Sequence, residues 1–247
     1  MVFHITDAMA DGFDRLRERN GLILVAVFAV LAVLNGLLAR PPVESMGADG
    51  VPATPIVLVS GILSIVLAVA TLVAVVVALR TFASEETETV PREFLRRNIG
   101  AVTLNVFVGA IVFALVVAVG SAFLLIPGLF ALVSLYYWAV YVAVEDQNFV
   151  RAFRSSWTLT GGSRLRLFGL GVAVFAVGVG VTVAGAIPAV IVGAILGDAA
   201  GFALAQLVGA FVTVYGLATT ARAFDQLSRL EPIGETEPRP DLPGTPS

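Results

Sequence analysis

From Ile56 to Leu79 the chain carries no charged side chain, and Ser60, Ser64 and Thr71 are its only polar residues. A helix of about 20 such residues rises about 30 Å, the thickness of a bilayer's hydrocarbon core. Comparable runs at Gly21 to Ala39, Ile99 to Val119, Gly128 to Val144, Leu167 to Ile187 and Phe202 to Ala221 bring the expected number of spans to about six. Hydrocarbon offers no hydrogen-bond partners, so a lone spanning run must close its backbone bonds within itself, as a helix does. A membrane barrel would alternate polar and apolar residues over about 10 positions, and these runs do not alternate. The composition agrees: 58% of residues are hydrophobic and 13% are charged, too little polar surface for a water-soluble fold. The expected fold class is all-α, a polytopic transmembrane helical bundle.

Arginine placement sets the expected orientation. With six spans, Arg15, Arg17, Arg19, Arg80, Arg92, Arg96, Arg97, Arg151, Arg154, Arg164, Arg166, Arg222, Arg229 and Arg239 fall on one side and Arg40 alone on the other. Positive loops are retained in the cytoplasm, which predicts a multi-pass protein of the cell membrane with both termini inside. Residues 1–20 are too charged for a secretory signal peptide and read as a cytoplasmic amphipathic segment. Residues 21–230 form the transmembrane domain, and the proline-rich, acidic 231–247 reads as a disordered cytoplasmic tail. The outer loops are then Arg40 to Pro55, a tight turn at Pro127-Gly128, and a loop around Gly197-Asp198. Ala122 to Ile126 and Pro188 to Leu196 are too short to cross alone and read as extensions or interfacial turns, with Pro127 and Pro188 as turn residues.

A basic amphipathic stretch precedes each odd-numbered span: Phe13 to Gly21, Pro91 to Gly100 and Phe149 to Arg166. Arg80-Thr81-Phe82 and Arg222-Ala223-Phe224 echo each other at the ends of the second and sixth spans. These echoes suggest three hairpins, each led by a cytoplasmic elbow helix. Positive-inside topology alone would also place arginines this way.

The segment Phe149 to Gly162 carries the most polar chemistry. Phe149, Phe153 and Trp157 recur every fourth residue and so share a helical face, with Arg151 and Arg154 elsewhere on the helix. Such a helix lies in the membrane interface with its aromatic side down and its arginines toward anionic headgroups. Arg164 and Arg166 extend the same basic stretch. Phe149, Arg151, Phe153, Arg154, Trp157, Arg164 and Arg166 are therefore the candidate interface residues, with a topological elbow as the plainer reading. Glu145 and Asp146 read as a helix end or as ion partners of a nearby arginine. The expected spans contain no Asp, Glu, Arg or His, groups that pumps and proton-coupled carriers place in the membrane. Asn105 and Gln206 read as bonds between helices, and Gly171, Gly178 and Gly185 as close packing within the chain.

Much chemistry is excluded by inventory. The chain has no cysteine, and all fifteen of its basic residues are arginine. Thiolate metal sites, a phosphate-binding loop lysine and a Schiff base are thus ruled out, and the lone His4 cannot build a paired-histidine zinc site. No cofactor, metal or nucleic-acid partner is expected. Arginine without lysine, with abundant Ala, Val and Gly, suggests a GC-rich genome, a halophilic archaeon or an actinobacterium.

Leu124 to Leu129, Tyr136-Tyr137-Trp138, Val144-Glu145-Asp146 and Ala152 to Gly162 together resemble the membrane domain of glycerophosphoryl diester phosphodiesterases. The likeness is to stand-alone archaeal members with no assigned function, and it covers about fifty residues of this chain. The resemblance implies six helices, with a Pro-Gly turn leading through a span to a cytoplasmic A-x-x-x-S-W-x-L-x-x-G stretch. It transfers no activity, because in those enzymes catalysis belongs to a separate soluble domain for which this chain has no room. The sequence therefore reads as a non-catalytic scaffold or accessory subunit interacting with membrane lipids or a membrane protein partner. The alternative is a transporter or permease for an uncharged or amphipathic solute.

Overall fold

The computed structural model describes residues 4–38 and 54–229. The expected tail at 231–247 and most of the Arg40 to Pro55 loop lie outside the described residues. Ten helices follow in order among the described residues: α1 (Ile5–Arg17), α2 (Arg19–Leu38), α3 (Thr54–Ala83), α4 (Arg92–Arg96), α5 (Ile99–Phe123), α6 (Leu125–Ser134), α7 (Trp138–Glu145), α8 (Phe149–Thr160), α9 (Arg164–Leu196) and α10 (Asp198–Ser228). Six segments are long and apolar enough to cross a membrane: α2, α3, α5, α6 with α7, α9, and α10. The fold is an all-α bundle, as the apolar runs require. Its large outward side chains, such as Ile62, Val172 and Phe175, are at least half exposed, the inverse of a water-soluble surface.

Three expectations need correction. The fourth span is two helices rather than one, interrupted at 135–137. Neither proline is the turn residue: Pro127 and Gly128 lie in the start of α6, after a junction at Leu124, and Pro188 lies inside α9, which runs unbroken for 33 residues, about 50 Å. In hydrocarbon, ending the helix there would free more carbonyls than the one hydrogen bond proline forfeits. The reversal falls instead at Gly197, whose φ of 96° suits a residue without Cβ. The second elbow is also reduced: before α5 begins at Ile99 only α4, five residues, is helical, and none of them is buried.

The contacts follow a cyclic pattern. The second spans of the three hairpins, α3, α6/α7 and α10, meet at the centre: α3 packs on α10 and on α7. Tyr137 and Tyr141 of the middle hairpin reach Phe224 of α10. The first spans lie between them, α2 against α3 and α10, α5 against α3 and α6, and α9 against α10 and α6. Each elbow packs on the second span of the preceding hairpin: α4 on α3, α8 on α7 and α6, and α1 on α10, closing the ring. This arrangement matches the three-hairpin reading. Gly178 and Gly185 of α9 face Val212 and Val208 of α10, so these two glycines serve packing within the chain, as expected, whereas a Cβ at Gly171 would meet nothing within 4 Å. Gln206 Nε2 donates to the Ala32 carbonyl at 2.7 Å, tying α10 to α2.

Candidate functional site

The elbow end of the bundle gathers the described arginines, and they divide into two kinds. Some are engaged by several acceptors of the fold. Arg15 of α1 is buried, and its Nη2 donates to the carbonyls of Thr81, Ser84 and Glu86 at 3.0, 2.6 and 2.9 Å, with Nη1 on Glu18 at 2.5 Å. Arg80, at the end of α3, donates from Nε to Ala143 O at 2.6 Å and from Nη1 to Phe94 O and Arg97 O, both at 2.9 Å. Its Nη2 meets Asp146 Oδ1 at 2.8 Å, and Arg97 holds the other oxygen of the same carboxylate. Asp146 is thus an ion partner, as expected, but of arginines distant in sequence rather than of Arg151. It terminates α7 with a φ of 54°, a conformation Asp adopts more readily than most residues. Glu145 stands outside this network and accepts from Gln147 Nε2 at 2.7 Å.

The α8 helix is built differently from its sequence pattern. Its most buried face is Ala152, Ser156, Leu159 and Thr160, whereas the aromatic face was expected to be the embedded one. Phe153 meets Trp138 edge-on at 5.5 Å, Ser156 meets Tyr137, Thr160 meets Ser134, and Trp157 meets Phe130. α8 therefore runs antiparallel along the fourth span. Asn105 Oδ1 accepts from the Phe149 N–H at 3.3 Å and fastens the start of α8 to α5.

This packing accounts for the broken fourth span. The Tyr137 N–H donates to Ser156 Oγ at 3.1 Å, and the Ser156 hydroxyl lies 3.1 Å from the Ser134 carbonyl oxygen. Thr160 Oγ1 lies 3.1 Å from the same carbonyl. The Ser134 carbonyl and the Tyr137 N–H, which a continuous helix would have bonded to the Trp138 N–H and the Val133 carbonyl, are satisfied from α8 instead, which such a break within an apolar bundle requires. The two hydroxyls are spaced i, i+4 on one face. That spacing is present in the sequence, beside the more conspicuous aromatic repeat of Phe149, Phe153 and Trp157.

The remaining candidates face outward. Arg151 and Arg154 are exposed, and among the described residues neither makes an ion pair or side-chain hydrogen bond. They rim an open cleft of about 930 Å³ that also takes in Tyr141, Asn148, Ser155 and Thr158. Asn148 caps α8 by accepting from the Arg151 N–H at 2.9 Å, and Ser155 is held by Gln147 at 3.0 Å. Arg164 lies over Phe130 and Trp157, 4.7 Å from each ring centre. Arg166 is exposed. The structure thus splits the predicted set into a half-buried aromatic pair (Phe149 on Phe153, and Phe153 on Trp138), a free cationic pair (Arg151 and Arg154), Arg164 packed on Trp157, and Arg166, exposed and apart from these groups. Among the described residues no cluster of three His, Cys, Asp or Glu side chains is placed to hold a metal.

Neither a curated protein nor a solved structure matches the chain. A family model described as "Domain of unknown function (DUF7847)" matches residues 3–227, nearly the whole helical bundle with its elbows, and the chain belongs to that family.

Proposed function

We propose that this protein is a non-catalytic membrane platform, a scaffold or accessory subunit whose elbow end engages anionic headgroups or the acidic surface of a membrane partner. In this reading the elbow end faces the cytoplasm and both termini lie there, because the described arginines cluster at that end. The observation that carries the proposal is the free pair Arg151 and Arg154. They stand on a helix whose opposite face is locked into the bundle, beside hydroxyl and amide groups that suit a phosphate.

The interrupted fourth span is the feature that would favour a permease for an uncharged or amphipathic solute, since carriers bind at such breaks. Here the freed carbonyl is already met by Ser156 and Thr160, which supports the platform over the permease.

Native mass spectrometry of the detergent-solubilised chain, titrated with phosphatidylglycerol and with phosphatidylcholine, tests the proposal. The native chain is expected to retain the anionic lipid preferentially, and the Arg151→Gln/Arg154→Gln double variant to lose one anionic adduct. Equal retention of both lipids by the native chain, or an unchanged adduct count in the variant, counts against it.

A further inference from the structure

Between α6 and α9 the bundle leaves an apolar groove. It consists of two hollows of about 420 and 340 Å³ that share Leu129, Val133 and Phe168. The groove opens outward, since Phe175 in its wall is 73% exposed and Leu165 at its rim 84%. Arg164, the first residue of α9, lines one of the two hollows. Its guanidinium rests in the corner formed by Phe130 and Trp157, which are edge-to-face at 5.4 Å and each 4.7 Å from it.

Among the described residues nothing accepts a hydrogen bond from the Arg164 side chain, and its Nε is buried without a partner. Arg15 also has a buried Nε without a partner, but Arg15 and Arg80 each have at least four acceptor contacts, whereas Arg164 has none among the described residues. Aromatic rings interact with the faces of a guanidinium, whereas its N–H groups donate in the plane and match the oxygens of a phosphate. A cation bordered by exposed leucine and isoleucine belongs at the membrane interface, where charge meets headgroups and apolar neighbours meet acyl chains.

We propose that the α6–α9 groove binds one anionic phospholipid, its acyl chain along Leu129, Phe168 and Phe175 and its headgroup phosphate on Arg164. The inference rests on the lipid-engaging reading above but uses different residues, so each can fail alone.

The chain has two tryptophans, and Trp157 is part of that corner. In a Trp138→Phe background, reconstituted into vesicles, Trp157 fluorescence reports directly on lipid at the groove. Phosphatidylglycerol with brominated acyl chains is expected to occupy the site about fivefold more readily than brominated phosphatidylcholine, the preference one basic residue near a membrane surface confers. Arg164→Gln should bring that ratio to about one, and Arg151→Gln/Arg154→Gln should leave it unchanged. Gly171 lines the groove, and a Cβ built there meets nothing within 4 Å. Gly171→Leu should therefore fold normally, fill the groove and weaken quenching by both lipids. If Trp138→Phe fails to fold, the same ratios are read in the native-tryptophan chain, whose Trp138 is only 6% exposed. Equal quenching by both lipids in the parent chain, a preference retained in Arg164→Gln, or quenching unchanged in Gly171→Leu would each overturn the proposal. A preference abolished by the Arg151/Arg154 variant and not by Arg164→Gln would leave the platform reading standing and remove this one.

Discussion

The first and third elbows, α1 and α8, bury the same pattern of positions and use it for different ends. In α1 the buried set is Ala8, Gly12, Arg15 and Leu16; in α8 it is Ala152, Ser156, Leu159 and Thr160. Both sets fall at i, i+4, i+7 and i+8, a single helical stripe. Each stripe begins with small residues that let the elbow approach the span it packs on. In α1 the polar member is an arginine, which reaches across to the carbonyls beyond α3 and fixes the N-terminal segment to the bundle. In α8 the polar members are hydroxyls that complete the backbone of a broken span, and the arginines lie on other faces with nothing to bind within the chain. Equivalent elbows thus separate structural cations from available ones. Charge placement along the sequence could not, because the positive-inside rule counts both alike.

That contrast can be tested in order of expected effect, by thermal and denaturant unfolding of the detergent-solubilised protein. Arg80→Leu should be the most damaging change. It strands three carbonyls and half of an ion-paired carboxylate in a site where the arginine is 4% exposed, and removing one partner of a buried pair costs about 3–5 kcal/mol. A loss under about 1 kcal/mol would mean that the network does not hold the elbow end together.

Gly12→Ala should come next. A Cβ at this position would lie 2.7 Å from Thr219 Cα, so α1 must shift off α10 at about 1–3 kcal/mol. Increased protease access to the N-terminal segment would accompany the destabilisation. Native resistance would break the parallel between the two elbows.

Ser156→Ala should cost somewhat less, about 1–2 kcal/mol, because it leaves the Tyr137 N–H without its acceptor. Ser156→Thr keeps the hydroxyl and should restore part of the loss unless its methyl is excluded. The sharpest outcome would be faster amide exchange at Tyr137 in the alanine variant alone. The smallest effect on stability is expected for Arg151→Gln/Arg154→Gln, within about 0.5 kcal/mol, together with the loss of an anionic lipid adduct. A large destabilisation there would show these arginines to be structural after all.

The number, type and approximate bounds of the membrane helices were legible from hydropathy, because in hydrocarbon a lone span has no hydrogen-bond partners but its own and local composition suffices to specify it. α2 and α5 begin within two residues of the expected starts, whereas α9 and α10 overrun theirs at both ends. Asn105 and Gln206 were likewise recognisable as links between helices, since an amide in an apolar run must find a partner. The candidate interface residues were legible as a group but not in their division.

What the sequence determined, then, was six span-length apolar helices with all but one of the arginines assigned to one side, a consequence of local apolarity and of the cost of placing charge in lipid. Only the tertiary structure decided where the fourth span breaks, because no proline or glycine marks 135–137 and the hydroxyls that stabilise the break lie 19 to 26 residues further on. It also decided which arginines are engaged, since three of the four acceptor contacts of Arg15 and of Arg80 are to carbonyls, groups every residue carries and no sequence pattern reveals.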